Sequence, residues 1–229
     1  MSVYRHSVAR QGGLLLALVV LMGACKGDSA KSRAELLRNQ KAGAPKQLAG
    51  VDFAGADLQE MDLKGANLQG ANLAEANLQG AKLQAADLSG ADLDGANLGA
   101  ADLRSADLEG ASLEGAMLIG VQAVGATFKD ANLSACNCEH ANFRGCNFEG
   151  ANMEKALFQY SNVENTNMRK ANLRYTNFLN GFTMGIDMEG SDTWMMRKPK
   201  YPVPAPDPEE ELEELEADEE EEEEEEEEQ

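Results

Sequence analysis

The chain has 229 residues, 40 acidic against 20 basic side chains, and a formal net charge of −20. That balance excludes a protein built to hold nucleic-acid phosphates, and two histidines in the whole chain leave little material for histidine-based catalysis. With only 7 Phe, 4 Tyr and 1 Trp, and with charge of opposite sign in different segments, one elongated domain with two appendages fits better than two globular domains.

Arg5 and Arg10 precede an apolar run at residues 14–22. Such a run is too short to span a bilayer and suits the core of a signal peptide. It ends Leu21-Met22-Gly23-Ala24-Cys25. An ordinary cleavage site needs small residues at −3 and −1, and Met22 is too large for that. The order aliphatic, small, small, Cys resembles the bacterial lipoprotein signal, with Met22 where that signal usually has Leu. The resemblance implies a signal peptide at 1–24, cleavage before Cys25, and lipid on Cys25 that holds the protein on a membrane. Several acyl chains on one residue meet the requirement of more than one chain for stable anchoring. Under the enterobacterial sorting rule, Lys26 in place of Asp points to the outer rather than the inner membrane, facing the periplasm or the cell surface. The competing reading is a soluble secreted protein with a chance cysteine.

Residues 25–50 are expected to form a lipid-anchored linker and an N-terminal cap. From residue 26 to 50 there are six basic and two acidic side chains. Asp28, Ser29 or Ser32 can cap a short helix over 34–38, which Gly43 and Pro45 end. Leu36 and Leu37 would cover the open end of the segment that starts at residue 51, since a bare sheet edge invites end-to-end stacking. A plain tether is the alternative.

From residue 51 to 190 the chain reads VDFAG ADLQE MDLKG ANLQG and onward, 28 pentads without a slip. An earlier pentad, KQLAG at 46–50, fits loosely. A helix would spread the Leu residues round every face, and a long strand needs period two. Within a pentad, however, Ala and Leu lie two apart, as in Ala56-Asp57-Leu58, and share one side of an extended triplet. Fourteen of the 28 pentads end in Gly, which tolerates the positive φ of tight turns. Each pentad is thus one short side and one bend.

This pattern, A-(D/N)-L-x-x, resembles the pentapeptide-repeat family. The resemblance implies an all-β fold, a right-handed quadrilateral parallel β-helix (solenoid) with four pentads per coil. The sequence agrees: at a spacing of 20, Lys82 falls between Asp62 and Asp102, and only Asp87 and Asp107 stack as like charges. At a spacing of 15, two like pairs would stack. Seven coils would make a rod roughly 34 Å long at ~4.8 Å per coil. The expected interior stack includes Leu58, Leu78, Leu98, Leu118, Phe143, Phe148 and Phe158, beside a corner column that is mostly Ala.

Cys136, Cys138, His140 and Cys146 are the one cluster of metal-ligand types. The register opposes a site, because the three sulfurs face inward as small fillers and His140 sits at a bend. There is no catalytic motif and no phosphate-cradling loop; Gly recurs for the bends. The chain is read as no enzyme, with no cofactor. The outward column is Asp-rich early and Asn-rich late, and Asn132, Asn152 and Asn172 would stack as an amide ladder. The later coils also carry Arg144, Lys155, Arg169, Lys170 and Arg174.

Residues 191–200 are expected to cap the rod, with Trp194, Met195 and Met196 as a plug or, alternatively, a homodimer contact. Residues 201–229 form a Pro-rich linker and a poly-Glu tail that is self-repelling and disordered. Arg169, Lys170 and Arg174 would be its dock if it has one.

The sequence points to a lipid-anchored, non-catalytic rod offering a protein-interaction or structural surface in the bacterial cell envelope. Its partner would be an unidentified protein, basic in character, and not a nucleic acid. The alternative is an acidic DNA mimic that binds a DNA-processing enzyme such as gyrase, as some pentapeptide-repeat proteins do. Cys25→Ser should abolish lipid labelling; membrane fractionation at the wild-type level in that variant would refute the anchor.

Overall fold

The computed structural model describes residues 46–197. The expected signal peptide, Cys25, the helix at 34–38 and the tail from 201 lie outside the described residues. Within them, every pentad repeats one conformation. From residue 51 to 178 the first and third residues of each pentad are buried, and the second is exposed or half-buried except at Asn177, which is 8% exposed; in the pentads after 180 the burial loosens. Ala96 and Leu98, for example, are 0% exposed on either side of half-buried Asn97. The fourth and fifth residues form the bend.

The bend is a tight turn closed by the next pentad. The N–H of Ala56 donates to the carbonyl of Phe53 at 2.9 Å, and the same bond recurs along the rod. The last residue of all 28 pentads from 51 to 190 has φ between +53° and +75°, as the third residue of a type II turn requires. Gly supplies half of them. The other half includes Glu60, Ala85, Asp130, His140, Lys155 and Tyr160, where the left-handed conformation costs about 1 kcal/mol or more each. The lattice of neighbouring turns imposes one dihedral on both kinds of residue.

Parallel pairing joins each outward residue to the residue 20 positions later, from Gln47 with Asn67 to Asn177 with Arg197. Four bends therefore close one coil. Side 1 starts with the pentad at Lys46, side 2 at Val51, side 3 at Ala56 and side 4 at Met61, and each recurs every 20 residues.

The regular part is longer than the sequence pattern marks. In the loosely fitting pentad at 46–50, Leu48 is 1% exposed and Gly50 has φ +65°. At the other end, Asp192 pairs with Asn172 and Met195 has φ +56°, so 191–195 form a further pentad. The expected plug is corrected accordingly. Trp194 and Met195 are 54% and 63% exposed at a bend, and only Met196 packs against the core. Trp194 is held there by the edge of Tyr175 and by the Arg174 guanidinium, 5.0 Å from its ring centre.

Leu98→Lys would bury an unpaired charge and should lower stability by about 4 kcal/mol or more. Asn97→Lys, one residue away and outward, should cost ~1 kcal/mol or less. Equal losses in urea melts would overturn the inward and outward assignment.

Candidate functional site

The interior is filled by its own side chains. Leu58, Leu78, Leu98 and Leu118 stack in one column and are all 0% exposed. Beyond them the tube becomes aromatic. Phe128 stacks on Phe148 with centroids 4.9 Å apart, and Phe143 meets Phe148 and Phe158 at 5.5 and 5.4 Å. Late in the corner column Ser161, Thr166 and Thr176 replace Ala and stay buried, because their hydroxyls donate to the carbonyls of Phe158, Val163 and Met153. No apolar pattern marks those positions in the sequence.

The Cys136 and Cys138 sulfurs touch at 3.3 Å inside the tube, and the Cys146 thiol donates to the carbonyl of Ala123. Burial pushes the Cys146 thiol up to about 12 and raises Cys138 as well. His140 lies outside and stacks on Tyr160 at 5.0 Å, away from the sulfurs. Among the described residues no group of three His, Cys, Asp or Glu side chains could hold a metal ion. Among the described residues, the surface open to another molecule is the outside of the rod.

That surface follows from a backbone account. Of the five N–H groups in a pentad, the first closes the turn, the second donates to the preceding coil, and the third and fifth donate to the following coil. The fourth has no main-chain acceptor. The outward side chain supplies one: Asp57 Oδ1 accepts from the N–H of Gln59 at 3.2 Å, and Asn137 Oδ1 from Glu139 at 3.0 Å. This side-chain-to-backbone bond is what Asp and Asn do well in turns. Asn does more, since its amide donates up the column. The Asn172 amide donates to Asn152 Oδ1 at 2.9 Å and that of Asn152 to Asn132 at 3.1 Å. Asp cannot donate, and Asp87 stands paired with Asp107.

From the second pentad on, five outward residues leave that fourth N–H without an acceptor among the described residues. They are Lys82, Met117, Gln122, Leu157 and Phe182, and the N–H groups concerned belong to Gln84, Ile119, Val124, Gln159 and Met184. All five lie on sides 3 and 4. Side 2 has one comparable position, Ser112, and Asp94 of the preceding coil accepts the N–H of Glu114 in its place. Sequence reading missed this. Its signal was present as departures from Asp or Asn in the second position, but only the 20-residue coil puts them together.

Charge divides the same way. Sides 1 and 2 with their bends carry 14 acidic and 6 basic residues, whereas sides 3 and 4 carry 6 and 5. The contrast runs around the rod as well as along it. The late cations named as a dock for the tail are engaged: Arg169 with Asp187 and Glu189, Lys170 with Glu149, and Arg174 with Asp192. Arg104 binds Asp102 and holds its carboxyl down at about 2. Among the described residues Lys64, Lys82 and Arg144 make no ion pair.

The family model described as pentapeptide repeats matches residues 47–84, 62–99, 96–134 and 136–174, eight copies in all. Among solved structures, HetL is a pentapeptide repeat protein involved in heterocyst differentiation regulation from the cyanobacterium Nostoc sp. strain PCC 7120. It is 27% identical over 64% of this chain and 82% of its own, with a TM-score of 0.38. Rfr23 from the cyanobacterium Cyanothece 51142 is 34% identical over 39% of this chain and 62% of its own, with a TM-score of 0.39. A pentapeptide repeat protein of the Arabidopsis thaliana thylakoid lumen is 28% identical over 38% of this chain and 61% of its own, with a TM-score of 0.37. The chain thus spans less than two thirds of the second and third of these proteins. No curated protein matches it in sequence.

Asn152→Asp keeps the bond to the N–H of Glu154 but loses the amide donated to Asn132. It should lower stability by about 1 kcal/mol in thermal or urea melts at neutral pH. An unchanged midpoint would show that the amide ladder contributes nothing.

Proposed function

Because the chain belongs to the pentapeptide-repeat family, whose members form right-handed quadrilateral β-helices, we propose that it is a lipid-anchored, non-catalytic rod of about seven coils displaying a protein-binding surface in a bacterial cell envelope. The observation that carries this reading is the division of charge around the rod, 14 acidic to 6 basic residues on sides 1 and 2. A surface of one sign steers and selects a partner of the other, here a protein with a basic patch. Lipid on Cys25 sets the rod on a membrane, and Lys26 favours the outer one.

The second reading is an acidic mimic of DNA bound by an enzyme such as gyrase. The same acidic sides favour it, but a signal peptide removes the chain from a cytoplasmic target. Localisation separates the two.

The test is affinity capture from membrane extracts with the full chain, followed by measurement of the captured protein's Kd. Asp92→Asn with Asp107→Asn removes two charges while retaining side chains that can accept the N–H groups of Asp94 and Glu109. Binding should weaken with salt and fall roughly tenfold in this variant. A partner that is insensitive to both would refute the acidic sides as the binding surface.

A further inference from the structure

Sides 3 and 4 carry a belt of exposed apolar side chains around Met117, Ile119 and Val124; a second group, Phe182 and Met184, has Glu164 in the bend position one coil before Met184, where an acidic segment would be repelled. From 115 to 128 the chain has no charged residue, and Met117, Ile119 and Val124 are 43%, 41% and 36% exposed. Met117 and Ile119 belong to side 3 and its bend, Gln122 and Val124 to side 4 and its bend, all within one coil. Val124 occupies the same bend position as Arg104 one coil before and Arg144 one coil after. Two of the N–H groups without an acceptor, those of Ile119 and Val124, are on this belt. Apolar side chains, free backbone donors and the Arg144 guanidinium, which unlike that of Arg104 makes no ion pair among the described residues, together suit a segment that alternates carboxylates with aliphatic side chains.

We propose that the belt is the docking site of the chain's own acidic segment 209–217. That segment reads EEELEELEA, with Leu212 and Leu215 among glutamates. Leu212 and Leu215 seat on Met117, Ile119 and Val124. Neighbouring carboxylates accept from the N–H groups of Ile119 and Val124 and pair with Arg144 and Lys82. The path is short enough. The described chain ends at Arg197, which pairs with Asn177 on side 3, and Val124 lies less than four coils back, roughly 18 Å at ~4.8 Å per coil. Residues 198–208, rich in Pro, span up to ~34 Å at polyproline rise. Charge selects the place: the 14 acidic residues of sides 1 and 2 repel a glutamate run. The late cations Arg169, Lys170 and Arg174, where the sequence alone puts any dock, are already paired.

Zero-length carbodiimide coupling of the full-length chain tests this, because it joins lysine to glutamate only where they touch. The expected products are single chains in which Lys82 or Lys64 is bonded to a glutamate between 209 and 220. Their yield should fall roughly tenfold in Leu212→Ser with Leu215→Ser, which leaves the rod untouched, and in Ile119→Asp with Val124→Asp. Coupling at Lys129, Lys155 or Lys170 instead, coupling between two chains, no coupling, or a yield unchanged in both variants would each overturn the proposal.

Discussion

The structure depends on one unmet backbone donor. A coil of four short sides can pair most of its N–H groups with its own turns and with the coils above and below. The geometry of the bend leaves the fourth N–H of each pentad without a carbonyl. An unpaired donor in ordered structure is costly, and a short side chain with an oxygen two bonds from Cβ reaches it. Asp and Asn recur in the second position for that reason. The rod's acidity is thus partly a by-product of backbone satisfaction, because Asp fills the role as well as Asn.

The interior sets the opposite demand. Each side offers two inward positions, one at the middle and one near the corner. Ala and Leu fill the tube at the N-terminal end. Further on, Phe, Met and Cys enlarge some layers while Ala123 shrinks one, and aromatic rings interlock across coils. Hydroxyl groups enter the corner column only where a carbonyl lies within reach, as at Thr176. Close packing of this kind leaves the left-handed bends no freedom, so His140 and Tyr160 adopt the same φ as glycine. Their rings then stack on the outside, at a place where glycine would present nothing.

The outer surface therefore has two natures. Where the second residue caps the bend, the backbone donor is used up, and the side presents its side chains alone. Where Lys, Met, Gln, Leu or Phe replaces Asp or Asn, the side keeps a backbone donor and gains apolar or cationic character. These replacements gather on sides 3 and 4 and turn away from the acidic half. A single rod can in this way offer an anionic surface to one kind of partner and a hydrogen-bonding, apolar surface to another.

The pentad period, the buried Ala and Leu, the bends and the amide ladder were legible in the sequence because each depends on residues at most five apart or on a fixed multiple of five. The stacking of Asn132, Asn152 and Asn172 follows from the period together with four pentads per coil, the number that the resemblance to the pentapeptide-repeat family implied. The ends were less legible. Thr193 and the missing glycine at Met195 hid a last pentad, although Asp192 still caps and pairs there. The cap on the fourth N–H went unread although it joins residues two apart: Asp or Asn before a bend signals such a bond, but that the N–H lacks a carbonyl depends on the closed coil. Which side each residue occupies, and so the pairing of Arg169, Lys170 and Arg174 and the isolation of the Val124 belt, depended on stacking across 20 residues. Sequence determines what each pentad is; only the closed coil decides which pentads become neighbours, because lateral contact is made by residues a full turn apart.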